Sequence, residues 1–332
     1  MERAMTEKVR KHEIEGLLEL YSTDPFVFRP AELYSIDGEL REQLRNYNIY
    51  MVARRPRISI KPKSVTLNAS AQTIDGIFSV NLGFEIKEIP FSYFNFFSAL
   101  ITDLGKLEYP YDHLRFVVAN RTPVQIRIHD VIRFSKTSLQ PYSDLFVEYV
   151  GQSFGEDGDS DAIARLIGKT GKQGHGSLQK VLADINASNP ESEVYLLLYS
   201  YTLYKKFMIA GGYLVPEISL DDAPNRFDKL LDARVSREER VDLIEAALIK
   251  YFQPKYNDTY KKTFPQKTHE ILNVLFDLDI TGLSTSLSTN EHNIRIYSKF
   301  VAPSNQHCAR YPIVQKSQRA SFFDVVFPVA DA

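Results

Sequence analysis

The sequence predicts an α+β protein: a small mixed sheet flanked by helices, with an N-terminal α/β module before it and a C-terminal extension after it. Three observations carry this. Residues 57–87 alternate apolar and polar side chains (Ile58, Ile60, Val65, Leu67, Ile77, Val80, Leu82), the period of half-buried strands. Strand-like stretches at 124–134 and 145–150 flank a polar loop containing Pro141, and so read as a hairpin. Residues 237–252 carry apolar side chains at helical spacing behind a capping box, Ser236 with Glu239.

Taken in order, the first twenty residues read as a helix, with Val9, Ile14, Leu17, Leu18 and Leu20 as its apolar contacts. Asp24-Pro25 and Arg29-Pro30 break it, and a second helix is expected over 37–45. Pro90 is expected to open an aromatic helix through about residue 104. Strand 113–119 precedes the hairpin. Helices follow at 161–167 and 177–185, separated by a basic, glycine-rich loop. Residues 193–199, rich in Leu and Tyr, read as a buried strand, and 201–235 as an insertion with its own helix. A helix near 266–276 and weaker strands near 293–300 and 321–327 close the chain. The division expected is 1–110, an N-terminal module; 111–265, a central domain with the insertion 201–235; and 266–332, the extension.

The chain's 332 residues suffice for two domains. Its 44% hydrophobic and 25% charged content excludes disordered and fibrous classes. A lone Cys308 excludes an internal disulfide or a cysteine zinc cluster. The charged N-terminus lacks an apolar signal core, and the aromatic run 91–101 falls short of the roughly 20 residues a membrane helix needs. A soluble, cytoplasmic protein with no membrane association is expected. A net charge of −2 confines phosphate binding to local patches. Two exist: Lys169, Lys172, His175 and Lys180, then Lys250, Lys255, Lys261, Lys262 and Lys267.

Glu245 stands out against this background. At about 100° per residue it falls on the same helix face as Val241, Ile244, Leu248, Ile249 and Phe252, while Asp242, Ala246 and Lys250 are expected to point outward. A carboxylate withdrawn from water needs a metal, an arginine or a pocket mouth. Pro254 closes this helix and Asn257 follows.

The pattern Glu245-Ala-Ala-Leu248-Ile249 followed by Pro254 and Asn257, together with Tyr149-Val150-Gly151 ahead of it, resembles the GIY-YIG nuclease superfamily over roughly residues 120–260. The first half of that motif, Gly-Ile-Tyr, does not precede the hairpin. The resemblance implies a GIY-YIG-like sheet and a metal-dependent endonuclease that hydrolyses DNA phosphodiester bonds, with RNA as the other substrate to consider. Restriction of foreign DNA is the setting the family suggests.

Carried over residue by residue, Glu245 would be the sole metal-binding carboxylate, holding Mg²⁺ or Mn²⁺ by oxygen ligation. Arg165 would clamp phosphate, and Tyr149 would stand near the attacking water. His175 would orient water or assist proton transfer. Symmetric pairing across the expected hairpin puts His129 in place of the first tyrosine, as a base. Gly151, Gln152, Lys169, Lys172, Lys250, Lys255 and Asn257 would contact substrate. One such centre cuts one strand, so a double-strand break implies a homodimer, a partner subunit or two visits. The alternative is a catalytically inactive GIY-YIG-like scaffold that binds nucleic acid.

Overall fold

The computed structural model describes residues 8–95, 99–154, 162–167, 176–209, 223–316 and 318–326. The elements that position the site are, in chain order, strands β1 (Ile14–Ser22), β2 (Ile49–Ile60), β3 (Leu145–Gln152), β4 (Ser192–Tyr199), β5 (Tyr201–Ile209), β6 (Gly282–Ser288) and β7 (Gln306–Pro312), and helices α1 (Ala162–Ile167), α2 (Gly176–Ser188), α3 (Ala223–Asp232) and α4 (Arg237–Phe252). The architecture is mixed α+β, with several sheets flanked by helices.

β2 is central. Its first half is paired antiparallel to β3 on one side and to β4 on the other. Its second half runs on into a β-rich module that occupies the chain between β2 and β3. There Thr73–Asn81 pairs with β2 and with Ile86–Phe94, which in turn pairs with Ser135–Thr137. A three-stranded sheet of Ile101–Leu104, His113–Val118 and Pro123–Arg127 completes the module. Its core, including Ile58, Phe78, Tyr93 and Phe116, is separate from the others. The β2–β3 ladder thus crosses the expected division at residue 110.

A second sheet has the order β5-β1-β6-β7, with β1 antiparallel to β5 and parallel to β6. Helix α4 lies between the two sheets: Val241, Ile244 and Leu248 share one core with Ile49, Met51 and Val147 on one side and Leu283 and Ala309 on the other. The opposite face of β3-β2-β4 carries Tyr50, Val52 and Leu196 and is covered by α1 and α2 through Ile163, Leu166, Leu178 and Val181. Alternation along β2 divides its residues between these two faces.

Several expectations are corrected. Residues 14–22 form a strand, not a helix. β1 is an interior strand of its sheet, so Ile14 to Leu20 are buried on both faces, and a run apolar on both faces loses the period that separates strand from helix. Residues 86–94 run as a strand straight through Pro90, and no aromatic helix opens there. The stretch 124–134 divides into strand Pro123–Arg127 and a short helix, Ile128–Arg133. It does not pair with β3. Ala246, expected to face outward, is fully buried because α4 is covered from two sides. β6 and β7 went unforeseen, β6 because Ser, Thr and Gly dominate it, and Phe322–Val326 is a helix. Helix α4 itself, its capping box, β4, and helices at α1 and α2 lie where expected. Among the described residues no helix is long and apolar enough to cross a membrane.

Candidate functional site

The site begins with strand register. Gly151 on β3 pairs with Tyr50 on β2, and Tyr149 pairs with Val52. Cross-strand partners share a face, so Tyr50, Tyr149 and Gly151 all lie on the side covered by α1 and α2. The tyrosine ring centroids are 6.0 Å apart, and each phenol shifts the pKa of the other. Gly151 is what makes room for them. A Cβ there would stand 2.5 Å from Tyr50 Cζ and Oη and 2.7 Å from Tyr149 Cε1. The requirement is space for two rings.

Glu245 reaches this place from the other face. Because β3 is the outer strand along 149–152, its edge-facing backbone groups need partners from elsewhere. Each has one. The Tyr256 N–H donates to the Glu148 carbonyl at 3.1 Å. Asn257 brackets Val150, its Oδ1 accepting from the Val150 N–H at 2.9 Å and its Nδ2 donating to the Val150 carbonyl at 2.8 Å. The Glu245 carboxylate accepts from the Gln152 N–H and carboxamide. The spacing from Glu245 to Asn257 follows from this geometry. α4 stops at Gln253, which takes a left-handed conformation (φ 49°), and Pro254 turns the chain back along β3. Carboxylate and carboxamide therefore cap neighbouring positions on one strand edge.

The electrostatics of the cluster are lopsided. Burial and the neighbouring Asp242 push the Glu245 carboxyl up to about 7, against the pull of Arg165 and Gln152. Asp242 is itself raised by burial and by Glu238, although the Gln152 Nε2 donates to its Oδ1 at 2.6 Å. Burial raises Tyr149, with the Glu245 charge adding to it, and raises Tyr50 further. Tyr260, after α4, is raised by burial and by the Glu245 and Asp242 charges. Arg165 of α1, whose side chain is exposed, opposes these effects at Tyr50, Tyr149 and Glu245 alike. Two carboxylates on consecutive turns of α4 thus share this neighbourhood with Arg165, and desolvation outweighs the arginine.

That imbalance is what an added cation would correct. Among the described residues no trio of His, Cys, Asp or Glu is assembled as a metal cage. A cation at Glu245, with Asp242 one turn away, would rely largely on water and substrate oxygens. This suits Mg²⁺, which keeps several waters and takes one or two carboxylates.

The structure therefore brings Tyr149, Gly151, Gln152, Arg165 and Glu245 together, with Asn257 beneath them as a positioning residue whose carboxamide is engaged by Val150. His129 is a correction. It lies in the short helix Ile128–Arg133, buried against the Tyr195 ring, with Nε2 3.2 Å from His292 Nδ1. Tyr195 belongs to the face opposite Tyr149, and the strand beside β3 is β2, so His129 mirrors nothing. Burial, then Arg55 and His292, hold its pKa well below the ordinary histidine value. The Lys250 ammonium donates to the Lys262 carbonyl at 3.3 Å, and Lys255 stacks over Tyr256 with Nζ 3.0 Å from its hydroxyl. Lys169, Lys172 and His175 lie outside the described residues.

Tyr50, Asp242 and Tyr260 were missed. For Tyr50 a signal existed: Asn48-Ile49-Tyr50 opens an apolar strand, but far upstream of the segment in which a partner for β3 was expected.

No family model matches the chain, and no curated protein or solved structure is significantly similar to it.

Proposed function

We propose that the chain is a metal-dependent endonuclease of the GIY-YIG type that hydrolyses DNA phosphodiester bonds. The observation that carries this is the pair Tyr50 and Tyr149, packed over Gly151 on adjacent antiparallel strands and electrostatically coupled to both Arg165 and Glu245. Asn48-Ile49-Tyr50 takes the part of the family's Gly-Ile-Tyr, with Asn48 replacing glycine; its Nδ2 donates to the Ser153 carbonyl at 2.6 Å, tying the two strand ends. Tyr50, standing beside Tyr149, supports this reading over the scaffold alternative, in which the first tyrosine is absent.

In this reading, both phenols stay protonated at neutral pH because burial raises them. The two phenols stand close enough that Tyr149 raises Tyr50 and Tyr50 lowers Tyr149. Tyr149 then keeps its own proton for the attacking water or a phosphate oxygen. Arg165 offsets phosphate charge as it builds. Glu245 would hold Mg²⁺ or Mn²⁺, which when bound supplies positive charge beside the leaving oxygen. His175 keeps its expected part in proton transfer. RNA, and a dimer or partner subunit for double-strand cleavage, belong to the same proposal.

Supercoiled plasmid incubated with purified protein and Mg²⁺ or Mn²⁺ tests it. Nicking by the wild type that is lost in Glu245→Ala supports the proposal; equal nicking by both proteins refutes it.

A further inference from the structure

A cavity of about 600 Å³ shares no lining residue with the Glu245 cluster. It opens where the segment before β1, helix α3, the turn before β6 and the chain after β7 meet. A volume of this size lies within the roughly 300–1,000 Å³ of small-molecule sites.

Its lining is cationic. Lys11, Arg226, Lys229, Lys316 and Arg319 line it together with Asp277 and Asp279. Even with Glu15 counted behind Arg319, cations outnumber carboxylates five to three. Several of these charges are held in place. The Arg226 guanidinium donates to the Leu278 carbonyl at 2.5 Å and to the Asp279 carbonyl at 2.6 Å. Arg319 is gripped by both oxygens of the buried Glu15, at 2.7 and 3.0 Å. Asp279 is met by Lys11 at 2.6 Å and His12 at 2.7 Å. Lys229, whose ammonium donates to the Asp277 carbonyl at 3.3 Å, and Lys316 are exposed beside these fixed groups. Holding like charges around a concavity costs free energy that an anion would recover. Ile280, Ile313 and Phe276 add apolar wall.

We propose that this cavity is a binding site for a phosphate-bearing small molecule of nucleotide size. Fixed guanidiniums and two exposed lysines suit a polyanionic group, and the apolar wall suits an attached ring. The site is independent of the proposed nuclease centre.

Isothermal titration calorimetry on the full chain tests this, with EDTA present so that no divalent ion recruits phosphate to Glu245. The probes are ATP, AMP, adenosine and a short DNA duplex, against wild type, Lys229→Glu/Lys316→Glu and Glu245→Ala. Both lysines are exposed, so the double reversal is expected to fold, and an unchanged melting temperature checks this. ATP is expected to bind one to one, about tenfold or more weaker in the double variant and unchanged in Glu245→Ala, with adenosine silent. Absence of binding by both ATP and AMP overturns the proposal. So does ATP binding that survives the charge reversal or is lost with Glu245. If only the duplex binds and only its affinity falls in the double variant, the cavity contacts nucleic-acid backbone and the small-molecule site is refuted.

Discussion

Gly151 lies opposite Tyr50 in the β2–β3 ladder, and the space a Cβ would fill at residue 151 is occupied by the Tyr50 ring and hydroxyl. One missing methyl group therefore decides whether two tyrosines can meet over the strand. Gly151→Ala is expected to destabilise the fold by about 1–3 kcal/mol through overpacking and to push the Tyr50 and Tyr149 rings apart. Gly151→Ala/Tyr50→Ala should recover part of the loss, since the clash disappears with the ring. Urea denaturation of both variants and of Tyr50→Ala measures the coupling, and strict additivity would show that the contact is not what residue 151 answers to.

Tyr50→Phe separates the ring from its hydroxyl. Packing against Tyr149 and α1 is kept, so stability should change little, while the hydroxyl beside Tyr149 is lost. Plasmid nicking is expected to fall about a hundredfold. Wild-type nicking rates in this variant would remove Tyr50 from the reaction.

Glu245 is a carboxylate whose burial is incompletely compensated by Arg165 and Gln152. A divalent ion that binds there should stabilise the folded state by mass action. Millimolar Mn²⁺ is expected to raise the melting temperature of the wild type by about 2 °C or more and to leave Glu245→Gln unmoved. Calorimetric scans with and without Mn²⁺ read this directly. An equal rise in both proteins would place the ion elsewhere.

What the sequence made legible was local. Ser236, Glu239, Glu245, Pro254 and Asn257 lie on one helix and the turn after it, so their spacing encodes the end of the helix and the strand edge it caps. The partner of Tyr149 was not legible, because β2 and β3 are separated by a whole β module and antiparallel pairing leaves no spacing rule across such a distance. Counting outward from a nearby loop assumed a hairpin and arrived at His129, which the real register places elsewhere. β1 was misread for a different reason: an interior strand buried on both faces has no polar side to reveal its period.

Asn257 offers a test of the strand-edge account. Its carboxamide both accepts from and donates to Val150 within a buried setting. Asn257→Asp keeps the acceptor but sets a second oxygen against the Val150 carbonyl. It is expected to cost about 2–3 kcal/mol, at least as much as Asn257→Ala, because a repulsive contact replaces a hydrogen bond. Chemical denaturation of both variants decides, and an Asp variant as stable as wild type would show that the donated hydrogen bond contributes nothing.

Asp279 predicts how stability depends on acid. Burial alone would raise its carboxyl, but hydrogen bonds from His12 and Lys11 and the charge of Arg319 hold it well below the ordinary 3.8. A folded-state value below the unfolded one means that the folded chain binds fewer protons. The contribution is therefore complete above the ordinary value and is lost as pH falls through the folded one. With the group partly exposed to solvent, Asp279→Asn is expected to cost about 1–2 kcal/mol at pH 7 and distinctly less at pH 3. Urea melts at both pH values measure the gap. A gap of the same size at pH 3 would mean that the residue acts through shape and hydrogen bonding rather than through its charge.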